Sequence, residues 1–142
     1  DKVPFLLVCA SGGARMQESV LSLMQMAKVN TKLSQFSDAG LLYVAVLIDP
    51  TTAGVSASYA SVGDIQIAEP NALIGFTGER ITGSSVGAEE MEALRQAQRA
   101  EKVLEHGFVD MIVPRNEMKT QLSQILSMLC NQPKLLTAGT DE

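Results

Sequence analysis

The chain has 142 residues, 46% hydrophobic and 19% charged, a balance that supports one packed domain and argues against disorder. Aromatics make up only 4% and Trp is absent, so a core must be built from Leu, Val, Ile, Met and Ala. The net charge is −5 with no long block of Lys or Arg, which excludes nucleic acid or an anionic membrane as the expected main partner, since both need clustered positive charge. A phosphorylated small ligand, held by one or two arginines and backbone amides, remains compatible with that charge.

Asp1 is followed at once by the strand-like run Val3-Pro4-Phe5-Leu6-Leu7-Val8, which reads as a start cut through a larger protein. Phe5 to Cys9 is a continuous apolar run, as expected of a strand buried on both faces. Ala10 to Ala14 is a small-residue turn. From Met16 to Phe36 the period is helical, with Met16, Val20, Leu23 and Ala27 on one stripe and Met26, Val29, Leu33 and Phe36 on a second. Two stripes predict a helix covered on much of its circumference, inside an assembly or between layers. Asp38-Ala39-Gly40 ends it, and Leu41 to Ile48 is a second buried strand.

Asp49-Pro50-Thr51-Thr52 reads as a turn, because Pro cannot continue a hydrogen-bonded ladder. Gly54 to Val62 is a small-residue helix. Ile65 to Ala68 and Ala72 to Phe76 are predicted strands, and Thr77 to Gly87 is a polar loop. A helix follows from Ala88 to Glu105 with Ala93, Ala97, Ala100 and Leu104 on one face, stopped at His106-Gly107. Val109 to Val113 is the last strand. After Pro114 comes a final helix with Asn116 as N-cap and Met118, Leu122, Ile125 and Leu129 as its stripe. Strands alternating with helices make the class α/β.

Several kinds of chemistry find no support. With a single histidine, His106, at a predicted helix end, a Ser-His-Asp or Cys-His site is not expected. Cys9 and Cys130 are too far apart to suggest a disulfide framework or a zinc site, and buried thiols are the simpler reading. No metal-ligand spacing, phosphate loop or dinucleotide fingerprint occurs. No apolar run nears the ~20 residues of a membrane span, so a soluble, cytoplasmic protein is expected.

What remains is a pair of strand–turn–helix junctions, Ser11-Gly12-Gly13-Ala14-Arg15 and Thr51-Thr52-Ala53-Gly54-Val55. A helix N-terminus carries N–H groups without internal partners and a partial positive charge, and small side chains let a ligand oxygen reach them. Two such turns facing each other would stabilise an oxyanion; equally, the glycines could serve only tight turns and close packing. Arg15 and Arg80 each follow a glycine-containing turn, where a guanidinium could meet a phosphate or carboxylate. The plainer alternative pairs Arg15 with Glu18 and leaves Arg80 solvated.

The stretch Ser11-Gly12-Gly13-Ala14-Arg15-Met16-Gln17-Glu18, with Leu21-Ser22-Leu23-Met24-Gln25-Met26-Ala27-Lys28 after it, closely resembles the β-subunit family of bacterial and plastid acetyl-CoA carboxylase carboxyltransferases. The resemblance continues through Asp49 to Ser58, Gly63-Asp64-Ile65, Ala68 to Phe76 and Leu104 to Arg115. It implies a crotonase-like ββα spiral, incomplete in this chain, over residues 1–130, followed by a polar tail at 131–142. It implies transfer of a carboxyl group from carboxybiotin to acetyl-CoA, forming malonyl-CoA for fatty acid synthesis, without a metal in this chain. Backbone amides of Gly12, Gly13, Ala53 and Gly54 become the expected oxyanion donors, with Ser11, Ala14, Arg15, Thr52, Gly78 and Arg80 around the substrate. The expected partners are a carboxyltransferase α subunit and a biotin carboxyl carrier protein, in the cytoplasm or the plastid stroma. An acyl-CoA decarboxylase or carboxylase of other specificity, or a non-catalytic CoA- or partner-binding module, is the alternative.

The chain departs from the family at three places. Ala53 stands where the family has Gly; it keeps its N–H and can serve an oxyanion if its φ is negative and the ligand clears Cβ. Thr77 replaces a small Ala, and the segment from Ile81, with the Ala/Glu/Gln-rich helix after it, is rewritten.

Overall fold

The computed structural model describes residues 3–76 and 87–130. Four strands lie in the order β1 (Phe5–Ser11), β2 (Tyr43–Thr52), β3 (Ile65–Ala68), β5 (Met111–Ile112), and β4 (Ile74–Gly75) pairs with the end of β2. All the pairings between these strands are parallel. Helix α1 (Val20–Asp38) connects β1 to β2; α2 (Ala53–Ser56) follows β2 directly, then a 3-10 turn at Tyr59–Val62. Helices α3 (Ala88–Ala97) and α4 (Ala100–Glu105) precede β5, and α5 (Arg115–Leu129) closes the described part. No described helix is long and apolar enough to cross a membrane.

The alternation of β2 builds two cores, because successive side chains of a strand point to opposite faces. Tyr43, Ala45 and Leu47 join Cys9, Ala60, Ala68, Ala72, Ile74, Ala100 and Val109, with Leu33 and Phe36 of α1 packed against them. Val44 and Val46 join Ile67, Val113 and Ile125 under Met118 and Leu122 of α5. β2 is therefore the doubly buried strand that its apolar run predicts.

Elsewhere tertiary pairing overrides local pattern. β1 is not buried on both faces: Phe5, Leu6 and Val8 are exposed, and Cys9 is its buried residue. The expected turn at Asp49–Thr52 is instead the end of β2, which runs through Pro50 at the cost of an irregular register. The long helix from Met16 begins as a 3-10 turn at Met16–Glu18, breaks at Ser19 with φ 45°, and becomes α-helical at Val20. The predicted helix over Ala88–Glu105 is broken at Gln98-Arg99, because these residues leave the helix to meet Ala72–Ile74: Ile74 N donates to Gln98 O at 2.8 Å and Ala100 N to Ala72 O at 2.9 Å. Its expected alanine face is thus split, with Ala100 buried and Ala93 and Ala97 exposed. Gly107 does end α4, with φ 76°, but α5 takes Pro114 rather than Asn116 as N-cap. The tail at 131–142 lies outside the described residues.

Candidate active site

Both predicted turns lie at the carboxyl ends of adjacent parallel strands, and the fold brings them into contact. Ser11 of β1 pairs in register with Thr51 of β2. Two residues further on along each strand, a Cβ built on Gly13 would fall 2.8 Å from the Cβ of Ala53. Gly13 has φ 105°, a conformation that glycine adopts without the penalty a side chain would bring. Gly12 faces open space, since an added Cβ there would meet nothing within 4 Å. Gly54 backs onto α1, where the Met26 sulfur lies 2.9 Å from the position of an added Cβ.

The amides differ in how they are engaged. Gly13 N donates to Ser11 Oγ at 3.1 Å, so its N–H serves its own turn first. Thr52 is the N-cap of α2, which leaves the N–H groups of Ala53, Gly54 and Val55 without an acceptor inside the helix. The carbonyls behind them are tied down by hydroxyls: Ser56 Oγ donates to Ala53 O at 3.0 Å or Gly75 O at 2.5 Å, and Ser58 Oγ to Gly54 O. Ala53 has φ 55°, so the negative φ expected of a donor there is not what the chain adopts. This is the left-handed region that favours Gly.

The other expected site residues take different places. Ala14 is exposed beside Gly13. Arg15 is 82% exposed and sits 3.9 Å from Glu18, the plainer of its two predicted roles. The Thr52 side chain is turned inward, its Oγ1 donating to Ser11 O at 3.3 Å. Gly78 and Arg80 lie outside the described residues. Burial pushes the Cys9 thiol up to about 11, which keeps it neutral and unreactive at physiological pH. His106 is exposed at the end of α4, its Nδ1 2.7 Å from Lys102 O.

Sequence reading missed Thr51. It is fully buried and its Oγ1 lies 2.7 Å from Cys9 O and 2.8 Å from Ile48 O. A usable signal existed: a hydroxyl residue just after a proline, where the strand has lost a backbone donor.

A parallel sheet with amide-bearing turns at its carboxyl edge defines an α/β protein, and its fold is crotonase-like. Solved structures support that class: transcarboxylase 12S with methylmalonyl-coenzyme A bound matches at TM-score 0.74 and 17% identity over 99% of this chain and 30% of its own. An enoyl-CoA hydratase from Thermoplasma volcanium matches at TM-score 0.56 and 19% identity, over 91% of this chain and 60% of its own. The sequence pattern of the carboxyl transferase domain matches residues 1–138, and the chain belongs to that family. Its relatives include acetyl-coenzyme A carboxylase carboxyl transferase subunits beta from Desulforamulus reducens, 57% identical over 89% of this chain, and Citrifermentans bemidjiense, 54% identical over 91%. The chain spans less than half of these two proteins, 43% and 45%. A third relative, subunits beta/alpha from Natranaerobius thermophilus, is 48% identical over 99% of this chain and 23% of its own length.

Proposed function

We propose that this chain contributes the β-type half of a carboxyltransferase site that moves a carboxyl group from carboxybiotin to acetyl-CoA, giving malonyl-CoA for fatty acid synthesis. The observation that carries the reading is the contact between the two amide-bearing turns, Gly13 against Ala53, at the carboxyl edge of β1 and β2. Ligands of open parallel sheets are bound at that edge.

Carboxylation of acetyl-CoA requires the thioester methyl to lose a proton, which the biotin nitrogen would take as it gives up its carboxyl group; the resulting negative charge spreads onto the thioester oxygen as an enolate. Neutral N–H donors aimed at that oxygen stabilise the charge without any titrating side chain. This suits a site whose nearby thiol, Cys9, stays protonated. Gly12 and Gly54 are assigned as donors, and Gly13 joins them when its N–H exchanges Ser11 Oγ for the ligand; Ala53, at φ 55°, does not meet the condition set for it and is left out of the set. The open space over Gly12 gives the thioester its approach, and Ser11, Ala14 and Arg15 of the same turn are assigned to the substrate. The donor set fits anionic oxygens, as the exchange requires. Carboxybiotin, delivered on a biotin carboxyl carrier protein, supplies the carboxyl group. Gly78 and Arg80 belong to the same reading as substrate contacts.

An α-type carboxyltransferase chain is the proposed partner, within a hetero-oligomer in the cytoplasm or stroma. Relatives named as beta or beta/alpha subunits support that, as does α1, no residue of which is buried. The test is acetyl-CoA-dependent carboxyl transfer by the full-length polypeptide with its α-type partner. Gly13→Val keeps its N–H, but its side chain meets the Ala53 Cβ and does not tolerate φ 105°, so the turn and its amides are displaced; kcat is expected to fall roughly 10²–10³-fold, the size usual when an oxyanion donor is out of place. Malonyl-CoA formation at an undiminished rate by that variant would sink the assignment.

A further inference from the structure

We propose that Thr51, with Thr52 as a weaker second contact, is a positioning residue that sets the spacing of the two amide turns; the inference rests on the site reading above. The β1–β2 ladder is regular from Phe5 to Cys9, and there it shifts: the step from Cys9 to Ser11 on β1 faces the longer step from Leu47 to Thr51 on β2. The excess on β2 includes Pro50, which has no N–H to offer. Backbone pairing therefore lapses at the point where both chains turn toward the site.

A side chain takes over. Thr51 Oγ1 lies 2.7 Å from Cys9 O and 2.8 Å from Ile48 O, so its single proton serves one carbonyl at a time on either side of the lapse. On the opposite edge, Thr51 N donates to Leu73 O at 2.8 Å, and Leu73 N donates to Asp49 Oδ1 at 2.8 Å. Thr52 Oγ1 adds a longer contact to Ser11 O at 3.3 Å.

These bonds join the stems of the two turns directly. Cys9 lies four residues before Gly13, and Thr51 two before Ala53. Both threonines are buried, at 0% and 2% exposure, in strand positions where a valine would fill the same space. What the hydroxyls add is a fixed distance between β1 and β2 at the turns. Misplacing a reacting group by about 1 Å can cost about 10²-fold in rate.

The test compares Thr51→Val, Thr51→Ser and Thr52→Val in the full-length polypeptide assembled with its partner chain, with Gly13→Val reporting on the site itself. Thr51→Val is expected to lower kcat about 10- to 100-fold while KM for acetyl-CoA stays within about twofold. Thr51→Ser keeps the hydroxyl and should restore most of kcat; a loss that Ser does not rescue assigns Thr51 to packing and overturns the proposal. If Thr51→Val folds and turns over normally while Gly13→Val is inactive, the positioning role is wrong and the site reading stands. If Gly13→Val is also fully active, the site reading itself fails, and the positioning role with it. Should Thr51→Val not fold, Thr52→Val decides: a several-fold fall in kcat at unchanged melting temperature supports the role, and an unchanged kcat overturns it.

Discussion

Ala53 is held in the left-handed region at φ 55°, which costs a residue with a side chain about 1–2 kcal/mol. Gly at this position removes that cost but adds freedom to the unfolded chain, so Ala53→Gly is expected to raise stability by about 0.5–1 kcal/mol in denaturant unfolding. Gly13→Ala works the other way. It meets both a φ of 105° and the Ala53 Cβ at 2.8 Å, and only the second problem disappears when Ala53→Gly is added. The double variant should therefore recover part of the loss; strict additivity to within about 0.3 kcal/mol would mean that the contact carries no energy. That both turns are built of small residues at strand ends was legible in the sequence. That they touch through Gly13 and Ala53 was not, since it depends on a strand register no local pattern encodes.

At the scale of elements, Glu69 and Arg115 tie the end of β3 to the start of α5 through two hydrogen bonds of 2.6 and 2.7 Å. The Arg115 guanidinium holds the Glu69 carboxyl below its usual range, an effect that outweighs the opposing push of partial burial. Because the folded value is the lowered one, the stabilisation is fully present above the ordinary carboxylate range and is lost as pH falls through the folded value. Thermal unfolding of the wild type and Glu69→Gln should therefore differ at neutral pH and converge in acid. A gap that persists at low pH would put the effect elsewhere. Strand β2 and the C-terminal end of α4 were readable because burial and glycine placement are local signals. The break at Gln98-Arg99 was not, because its cause is pairing with Ala72–Ile74, distant in sequence. The run of β2 through Pro50 was hidden for a similar reason: the Thr51 hydroxyl bonds to Cys9 O, 42 residues away in sequence.

For the whole molecule, the informative feature is α1, which is held along one side from Met26, against Gly54, to its end. Leu33 and Phe36 pack on the core, and Phe36 meets Phe5 edge-on at a centroid distance of 6.1 Å. Toward its start, Val20, Leu23 and Met24 form an apolar stripe exposed by 62, 59 and 58%. The two-stripe pattern predicted a helix covered on much of its circumference; among the described residues only part of that cover exists, so the pattern encodes contacts beyond this chain's own core. Under the function proposed above, the α-type partner is the cover, in keeping with relatives named as beta subunits. Replacing Leu23 and Met24 together by Gln in the full-length polypeptide should leave its own stability within about 0.5 kcal/mol, as for surface substitutions. Affinity for the α-type chain should fall at least about 10-fold, because truncating central apolar contacts costs about 1–2 kcal/mol each. Isothermal titration of the two chains reads that loss. A fall in the polypeptide's own melting temperature with unchanged partner affinity would instead mean that the rest of the same polypeptide covers α1, and loss of self-association would point to a second copy.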